Sequence, residues 1–338
     1  MRIFIAICSL FLFGMKVKAQ QRPYYTQYIL NNFLVNPAVA GIENYTDIKL
    51  SHRMQWVGLQ DAPVTTYFTI HTPLSKRLYD VERNNPTTFK PRGRNVMLES
   101  YEPADPHHGL GFTVINDRTG PLNRFAAYGS YAYHLNLSNT TNLSFGISAG
   151  FSQMSLNTDK LSFDNPIDPA VGNSQILNRI KPDISAGLWL YSRDYFVGIA
   201  AQQIIPQQLS FSENGGVQLQ SGKLIPHIFA QAGYRFYLND DLTLLPSVML
   251  RSVSPLPLGV DVNVKMQYLD VMWVGASFRK SDGFAGMLGV NLNHSINIGY
   301  SYDITTSKLN TFTKGTHEIL LGFIMGNKYD DYKPHNVW

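Results

Sequence analysis

Apolar and polar side chains alternate at period two along most of this chain, in segments of about ten residues. Leu143, Phe145, Ile147, Ala149 and Phe151 are interleaved with Ser144, Gly146, Ser148, Gly150 and Ser152. Val260, Val262, Val264, Met266 and Tyr268 are interleaved with Asp261, Asn263, Lys265 and Gln267. The same rule sets Phe284, Leu288, Val290 and Leu292 against Asn291 and Asn293, and Ile296, Ile298, Tyr300 and Tyr302 against Asn297, Gly299 and Ser301. Successive strand side chains point to opposite faces, so each segment has one oily and one wet side. The pattern predicts about fourteen strands. Their spans are 45–56, 63–72, 108–117, 121–135, 141–153, 182–192, 194–204, 224–237, 241–252, 257–268, 270–280, 283–293, 295–304 and 315–326. Pro246 falls inside one of them and cannot donate to a ladder, so a bulge is expected there.

A water-soluble sandwich would alternate in the same way, with its oily face hidden. Three features favour a transmembrane β-barrel. The segments are long and continue to the end of the chain. Aromatic residues gather near segment ends, as at Tyr131, Tyr133, Tyr191, Tyr195, Tyr234, Phe236, Tyr237, Tyr300 and Tyr302, where an interfacial girdle belongs. The wet faces carry small residues and amides, as a hydrated lumen allows. Lipid cannot satisfy a free sheet edge, so the sheet must close. The expected fold is all-β, an antiparallel barrel over 45–326.

Connections test this independently, because outer-membrane barrels have short periplasmic turns and longer external loops. With both termini periplasmic, the turns near 139, 193, 238–240, 269 and 294 are short, while 154–181, 205–223 and 305–314 are long. The connections near 117–120, 253–256 and 281–282 are short as well. Residues 73–107 break the rule in the other direction. This stretch carries Lys76, Arg77, Arg83, Lys90, Arg92 and Arg94 together with Pro86, Pro91, Pro103 and Pro106. Two readings stand, a disordered insertion and a periplasmic docking arm.

The first nineteen residues change the charge and the compartment. Arg2, an apolar run from Ile3 to Met15, and Val17-Lys18-Ala19 have the layout of a secretory signal peptide cut after Ala19. About 13 apolar residues fall short of the roughly 20 that span a bilayer as a helix. Removing them takes away Cys8, the only cysteine, so no disulfide is expected. It also removes Arg2, Lys16 and Lys18 and no acid, so 28 basic against 24 acidic residues becomes 25 against 24. That balance gives no reason to expect nucleic acid. No later segment is apolar enough for a membrane helix.

The segment 20–44 is too apolar for a bare tail. "YYTQYILNNFLVNPAVAG" is expected to pack as a short helix plugging the periplasmic mouth, with Phe33, Leu34 and Val35 as its contacts. Residues 327–338 read as a tail. "NPAVAG" at Asn36–Gly41, which includes Pro37, and "RMQWVGLQDAP" at Arg53–Pro63 resemble the amino-terminal signature of the PorP/SprF family of the type IX secretion system of Bacteroidetes. The resemblance continues through "GLGFTVINDRTGP" at Gly109–Pro121, "SYAYHLNL" at Ser130–Leu137, "LSFGISAGF" at Leu143–Phe151 and "PDISAGLWLYSRDYFVGIAAQQI" at Pro182–Ile204. It implies a non-enzymatic outer-membrane barrel beside the translocon. Such a barrel would support export or surface attachment of adhesin-like cargo recognised by a C-terminal domain, or link to periplasmic ring and lipoprotein components. The 73–107 connection is longer than the family's, so no role for it is inherited. A small-solute porin or fatty-acid-type transporter is the competing function.

No catalytic arrangement, cofactor site or metal site is expected. His107-His108 reads as a polar strand end. In the first hairpin, if Ile48 and Leu50 face lipid, then Lys49, Ser51, Arg53 and Gln55 face the lumen. A charge on the lipid face near midplane costs about 2–4 kcal/mol, so that orientation is strongly selected. Lys49 or Arg53 is expected to pair with lumen carboxylates such as Asp47, Asp183 or Asp261, and Lys265 lies on the same wet face as Asp261. Trp56 suits an interfacial anchor. Asp117 and Gly120 suit a tight turn, with partner recognition as the other reading.

Overall fold

The computed structural model describes residues 25–74, 105–157, 160, 176–205, 207–209, 222–239, 241–254, 256–269, 271–280, 282–293 and 295–326. The expected signal peptide, the residues of the expected basic arm, Lys76, Arg77, Arg83, Lys90, Arg92 and Arg94, and the expected tail over 327–338 lie outside the described residues.

Every expected segment forms a strand. The first seven are β1 (Thr46–Met54), β2 (Val64–Pro73), β3 (His107–Thr119), β4 (Leu122–Ser138), β5 (Thr141–Asn157), β6 (Ile176–Ser192) and β7 (Tyr195–Gln202). The second seven are β8 (His227–Tyr234), β9 (Leu242–Ser252), β10 (Gly259–Tyr268), β11 (Met272–Arg279), β12 (Gly283–Asn293), β13 (Ile296–Thr305) and β14 (Thr316–Met325). Each pairs antiparallel with its neighbours in sequence, and β1 closes the ring on β14 from Thr46↔Met325 to Met54↔His317. The result is a closed barrel of 14 strands. Phe236–Tyr237 adds a short extra strand against β9, and Gln207–Leu209 pairs with Gly222–Leu224 in a connecting loop.

Pro246 sits in β9 opposite Val264 with no register shift. On its other side, pairing with β8 stops at Gly233↔Ser247 and resumes at Phe236↔Leu244 in the same register. A gap in the ladder, and not the expected bulge, accommodates the missing N–H.

Burial is inverted relative to a water-soluble sheet. In β10, Asp261 and Asn263 are 2% and 1% exposed, whereas Val262 and Val264 are 46% and 40% exposed. The same inversion holds in β1, where Lys49, Ser51 and Arg53 are buried and Leu50 is exposed. A sandwich with Val262 and Val264 inside is thereby excluded. The outer wall is a belt of Val, Ile, Leu and Phe, and the polar set points into the lumen. No helix among the described residues is long and apolar enough to cross a membrane.

The barrel has two mouths. At the near mouth β1 begins, β14 ends, and tight turns join β4 to β5 at 139–140 and β6 to β7 at 193–194. The far mouth carries the longer connections 158–175 and 203–226. The lumen is filled by the amino-terminal segment, which makes three 3-10 turns at Gln27–Leu30, Asn32–Leu34 and Pro37–Val39. A regular helix is interrupted at Asn36, whose φ of −131° and ψ of 114° are extended, as required of a residue before proline.

Candidate functional site

The functional candidate is the contact between this inner segment and the lumen wall. Its apolar residues form the core of the molecule. Phe33, Ala38, Val39, Ala40 and Ile42 pack with Ala132, Trp189, Tyr191, Phe196 and Leu245. Tyr28, Ile29 and Val35 pack against Phe229, Met249, Trp273 and Met287, and Leu34 joins Tyr67, Ile115 and Tyr128. Phe33, Leu34 and Val35 are each buried in a different cluster, against a different part of the wall. The segment also runs through the whole lumen and does not stop at one mouth.

Polar locks fix its position. Thr26 is the first. Its N–H donates to Glu318 Oε2 at 2.8 Å and its hydroxyl donates to Asp303 Oδ2 at 2.6 Å. The same hydroxyl accepts from Arg53 Nη1 and Arg279 Nη2, both at 2.6 Å. Arg53 completes the cluster through Asp303 at 2.8 Å and Glu318 at 3.0 Å. Midway, Asn31 donates to Thr69 Oγ1 at 2.9 Å and Asn32 Oδ1 accepts from Gln231 at 3.2 Å. Asn36 Nδ2 donates to the carbonyls of Leu188 and Ile199 at 2.9 and 3.2 Å, while its Oδ1 caps the third turn by accepting from Ala38 N–H at 3.0 Å.

Near the other mouth three histidines grip the backbone. His134 Nε2 donates to the Ala40 carbonyl at 2.9 Å, with its Nδ1 accepting from Tyr191 at 2.8 Å. Gly41 N–H donates to His71 Nδ1 at 3.2 Å, and His107 Nε2 donates to the Gly41 carbonyl at 3.0 Å. His107 stacks on His134 with ring centres 4.4 Å apart. His107 is thus more than a polar strand end. No group of three or more His, Cys, Asp or Glu among the described residues is placed to hold a metal.

Contact with the backbone of the inner segment explains the first glycine of "GLGF" and the first of "SFGISAG". A Cβ on Gly109 would lie 1.9 Å from the Ala40 carbonyl oxygen, and one on Gly146 would lie 2.2 Å from Ala38 N. The wall is notched where "NPAVAG" runs against it.

The sequence-predicted charges divide. Arg53 and Lys49 do face the lumen. Lys49 pairs with Asp47, two residues away on β1. Arg53 pairs with Asp303 and Glu318, which the sequence did not suggest, and not with Asp183 or Asp261. Asp183 accepts from the Tyr128 hydroxyl at 2.8 Å, and Asp261 lies 3.8 Å from Arg251. Lys265 is buried in the lumen wall. Gln55 begins the β1–β2 turn, with its N–H on the Pro63 carbonyl at 2.9 Å. Trp56 follows with φ of +53° and donates its N–H to Thr316 Oγ1 at 3.1 Å. Gly120 makes the β3–β4 turn at φ +56°. Asp117 does not shape that turn, because it lies within β3 and accepts from Thr65 of β2 at 2.6 Å. His52 faces outward and contacts Thr66 Oγ1 at 2.8 Å. Beside Tyr25 and Tyr28 a cavity of about 180 Å³ lies at the far mouth, lined also by Phe229, Met249, Arg251 and Leu256.

Comparison with solved structures finds similar barrels at low identity. The Ralstonia pickettii toluene transporter TbuX aligns over 87% of this chain and 92% of its own, with 10% identity and a TM-score of 0.45. A Pseudomonas aeruginosa FadL homologue aligns over 86% and 91%, with 10% identity and a TM-score of 0.47. The Acinetobacter baumannii outer membrane protein Omp33 aligns over 84% and 99%, with 8% identity and a TM-score of 0.42. No curated protein matches the sequence significantly. Residues 17–323 match the family of the type IX secretion system membrane protein PorP/SprF, covering nearly all of the barrel and its inner segment. The chain therefore belongs to the PorP/SprF family of type IX secretion system membrane proteins.

Proposed function

We propose that this protein is a non-enzymatic outer-membrane component of the type IX secretion and gliding machinery. It supports export or surface attachment of particular adhesin-like cargo, recognised through a C-terminal domain, and docks to the translocon and to periplasmic ring or lipoprotein components. The family and the barrel fold support the outer-membrane placement. Cleavage after Ala19 belongs to this reading. So does the orientation, with the near mouth in the periplasm because the chain ends of the wall and the tight turns lie there.

The observation that carries the reading is the filled lumen. Residues 25–45 occupy it through buried amides, an ionic cluster and a histidine grip, so the barrel is built as a scaffold and not as an open solute path. The basic 73–107 connection leaves and rejoins the wall at the near mouth, where Leu74 N–H bonds the His108 carbonyl at 2.7 Å. In this reading it is a periplasmic docking arm. A small-solute porin or fatty-acid-type transporter is the second reading, favoured by the far-mouth cavity, which Phe229, Met249 and Leu256 line together with Gln202, His227, Arg251 and Lys280.

The test is crosslinked pull-down from intact envelopes, full-length protein against a deletion of 76–105, alongside conductance in planar bilayers. Capture of periplasmic and translocon proteins by the full-length chain, weakened by the deletion, supports the reading. Unchanged partners dismiss the arm. Steady conductance without companions, and secretion of every cargo in its absence, reject the secretion role.

A further inference from the structure

We propose that the far-mouth cavity is a closed binding site for a compact amphipathic carboxylate of about the size of benzoate. The ligand lies between the inner segment and the wall, so occupancy ties the two together. This site goes beyond the secretion role and needs no path through the barrel.

The cavity is assembled from parts far apart in sequence. The inner segment contributes Tyr25 and Tyr28. The wall contributes Phe229 of β8 and Met249 of β9, two and three positions from the far ends of their strands. The β9–β10 turn adds Leu256, whose N–H donates to the Val253 carbonyl at 2.7 Å. Leu34 and Val35, further along the segment toward the near mouth, are each 6% exposed and close the inner end. Gln202 Nε2 fixes them there by donating to their carbonyls at 3.1 and 2.8 Å.

Charge and size select the ligand. Arg251 and Lys280 both line the cavity, and no carboxylate does so among the described residues. Asp261 lies outside the lining, 3.8 Å from Arg251. Two permanent cations without an acid favour an anion, and the planar fork of an arginine matches a carboxylate. The Arg251 side chain is 16% exposed, whereas Lys280 is exposed. The carboxylate therefore sits at the Arg251 and Lys280 side, with the apolar body among the aromatic rings. The cavity holds about 180 Å³. An apolar cavity of roughly 150 Å³ takes up benzene, so one ring with a carboxylate fits and a long acyl chain does not.

Radiolabelled benzoate is the probe, in equilibrium dialysis against folded, heat-modifiable protein in detergent, with protein-free micelles as the blank. Saturable binding with a Kd of about 1 mM is expected of so small a ligand. Benzamide, of the same shape without the charge, should bind about tenfold more weakly. Arg251→Gln should weaken benzoate binding about tenfold and Arg251→Lys less. The more exposed Lys280→Gln should weaken it about threefold. Leu256→Trp fills the cavity and should abolish binding. Benzoate at about ten times its Kd should slow proteolysis within residues 25–45 about tenfold, because the ligand holds the seated segment.

No saturable uptake above the micelle blank overturns the proposal. So does equal binding of benzamide, or binding that all three cavity variants leave unchanged. If Arg251→Gln does not fold, Lys280→Gln and Leu256→Trp decide. Liposome swelling in benzoate separates this site from solute passage. Binding without swelling supports a closed site, and barrel-dependent swelling overturns it in favour of the transporter reading. Failure of the secretion role would leave each of these outcomes unaltered.

Discussion

Replacing Gly146 by alanine adds one methyl group where the inner segment lies against β5. The new Cβ would sit 2.2 Å from Ala38 N and 2.4 Å from both Ala38 Cα and Pro37 C. All three are backbone atoms, so no side chain can swing aside, and relief requires the Pro37–Ala38 peptide to withdraw by about 1 Å. Withdrawal strains two bonds, Ser144 Oγ to the Ala38 carbonyl at 2.5 Å and Ala38 N–H to Asn36 at 3.0 Å. Each is worth about 1 kcal/mol, and overpacking adds about 1–3 kcal/mol. In the strand itself, alanine is better than glycine by roughly 0.5–1 kcal/mol. The net cost to seating the segment is about 2–4 kcal/mol, or roughly two decades in the seated-to-unseated ratio. Gly129 is the control, because a Cβ there meets nothing within 4 Å. Limited proteolysis of the detergent-solubilised protein, mapped to residues 25–45, should be about a hundredfold faster in Gly146→Ala. Conducting events should also appear in planar bilayers. The barrel fold, read as heat-modifiable gel mobility, should survive because the strand is improved. Equal cleavage in native protein, Gly129→Ala and Gly146→Ala would refute the claim that this glycine exists to admit the segment.

Three other substitutions test the remaining contacts. Arg53→Gln leaves Asp303 and Glu318 short of a buried cation, and should destabilise the folded barrel by about 3 kcal/mol, seen as a lower temperature of gel-mobility loss. A Glu318→Gln background should shrink that effect, and an undiminished one counts against direct pairing. Val264→Lys puts a charge on the exposed outer wall, and should cost about 2–4 kcal/mol in lipid, measured by urea titration in vesicles. The same substitution tolerated without loss would contradict the lipid-facing assignment. Phe33→Ala removes a ring packed 4.9 Å from His71, and should weaken seating by about 3 kcal/mol. Protease sensitivity confined to 25–45 is the expected signature, and a uniformly destabilised barrel would argue against it.

The wall was legible in the sequence because its signal is local. Lysine, serine and arginine at 49, 51 and 53, set between Leu50 and other outward residues, place themselves by period two alone. The partners of Arg53 were not legible. Asp303 and Glu318 lie 250 and 265 residues downstream, and only ring closure of β1 on β14 and its neighbour β13 brings them near. Lys49 and Asp47 could be paired because they share one face of one strand. Pro246 was recognised as a disturbance but assigned the wrong remedy, since a closed ring can skip a ladder bond without changing register. The extent of the inner segment was underestimated because its apolar residues suggested a cap over a mouth. The missed signal was in the wall, where lumen-facing glycines at 109 and 146 mark the space for a backbone lying against the sheet.

The polar character of the inner segment has a physical consequence that an apolar plug would lack. Dispersion contacts are nearly indifferent to small translations, so a segment held only by leucines could slide along a greasy lumen. Here one residue of slippage would strip Thr26 from Arg53, Arg279, Asp303 and Glu318. It would also strip Asn36 from two wall carbonyls and Gly41 from its two histidines. Each group so exposed stays buried and unsatisfied, at about 1–3 kcal/mol apiece and more for the charges. Intermediate registers are therefore far less stable than the seated one, and removal is close to all-or-none. Such a barrel stays shut under thermal fluctuation, which fits a fixed scaffold for secretion partners better than a pore with graded opening.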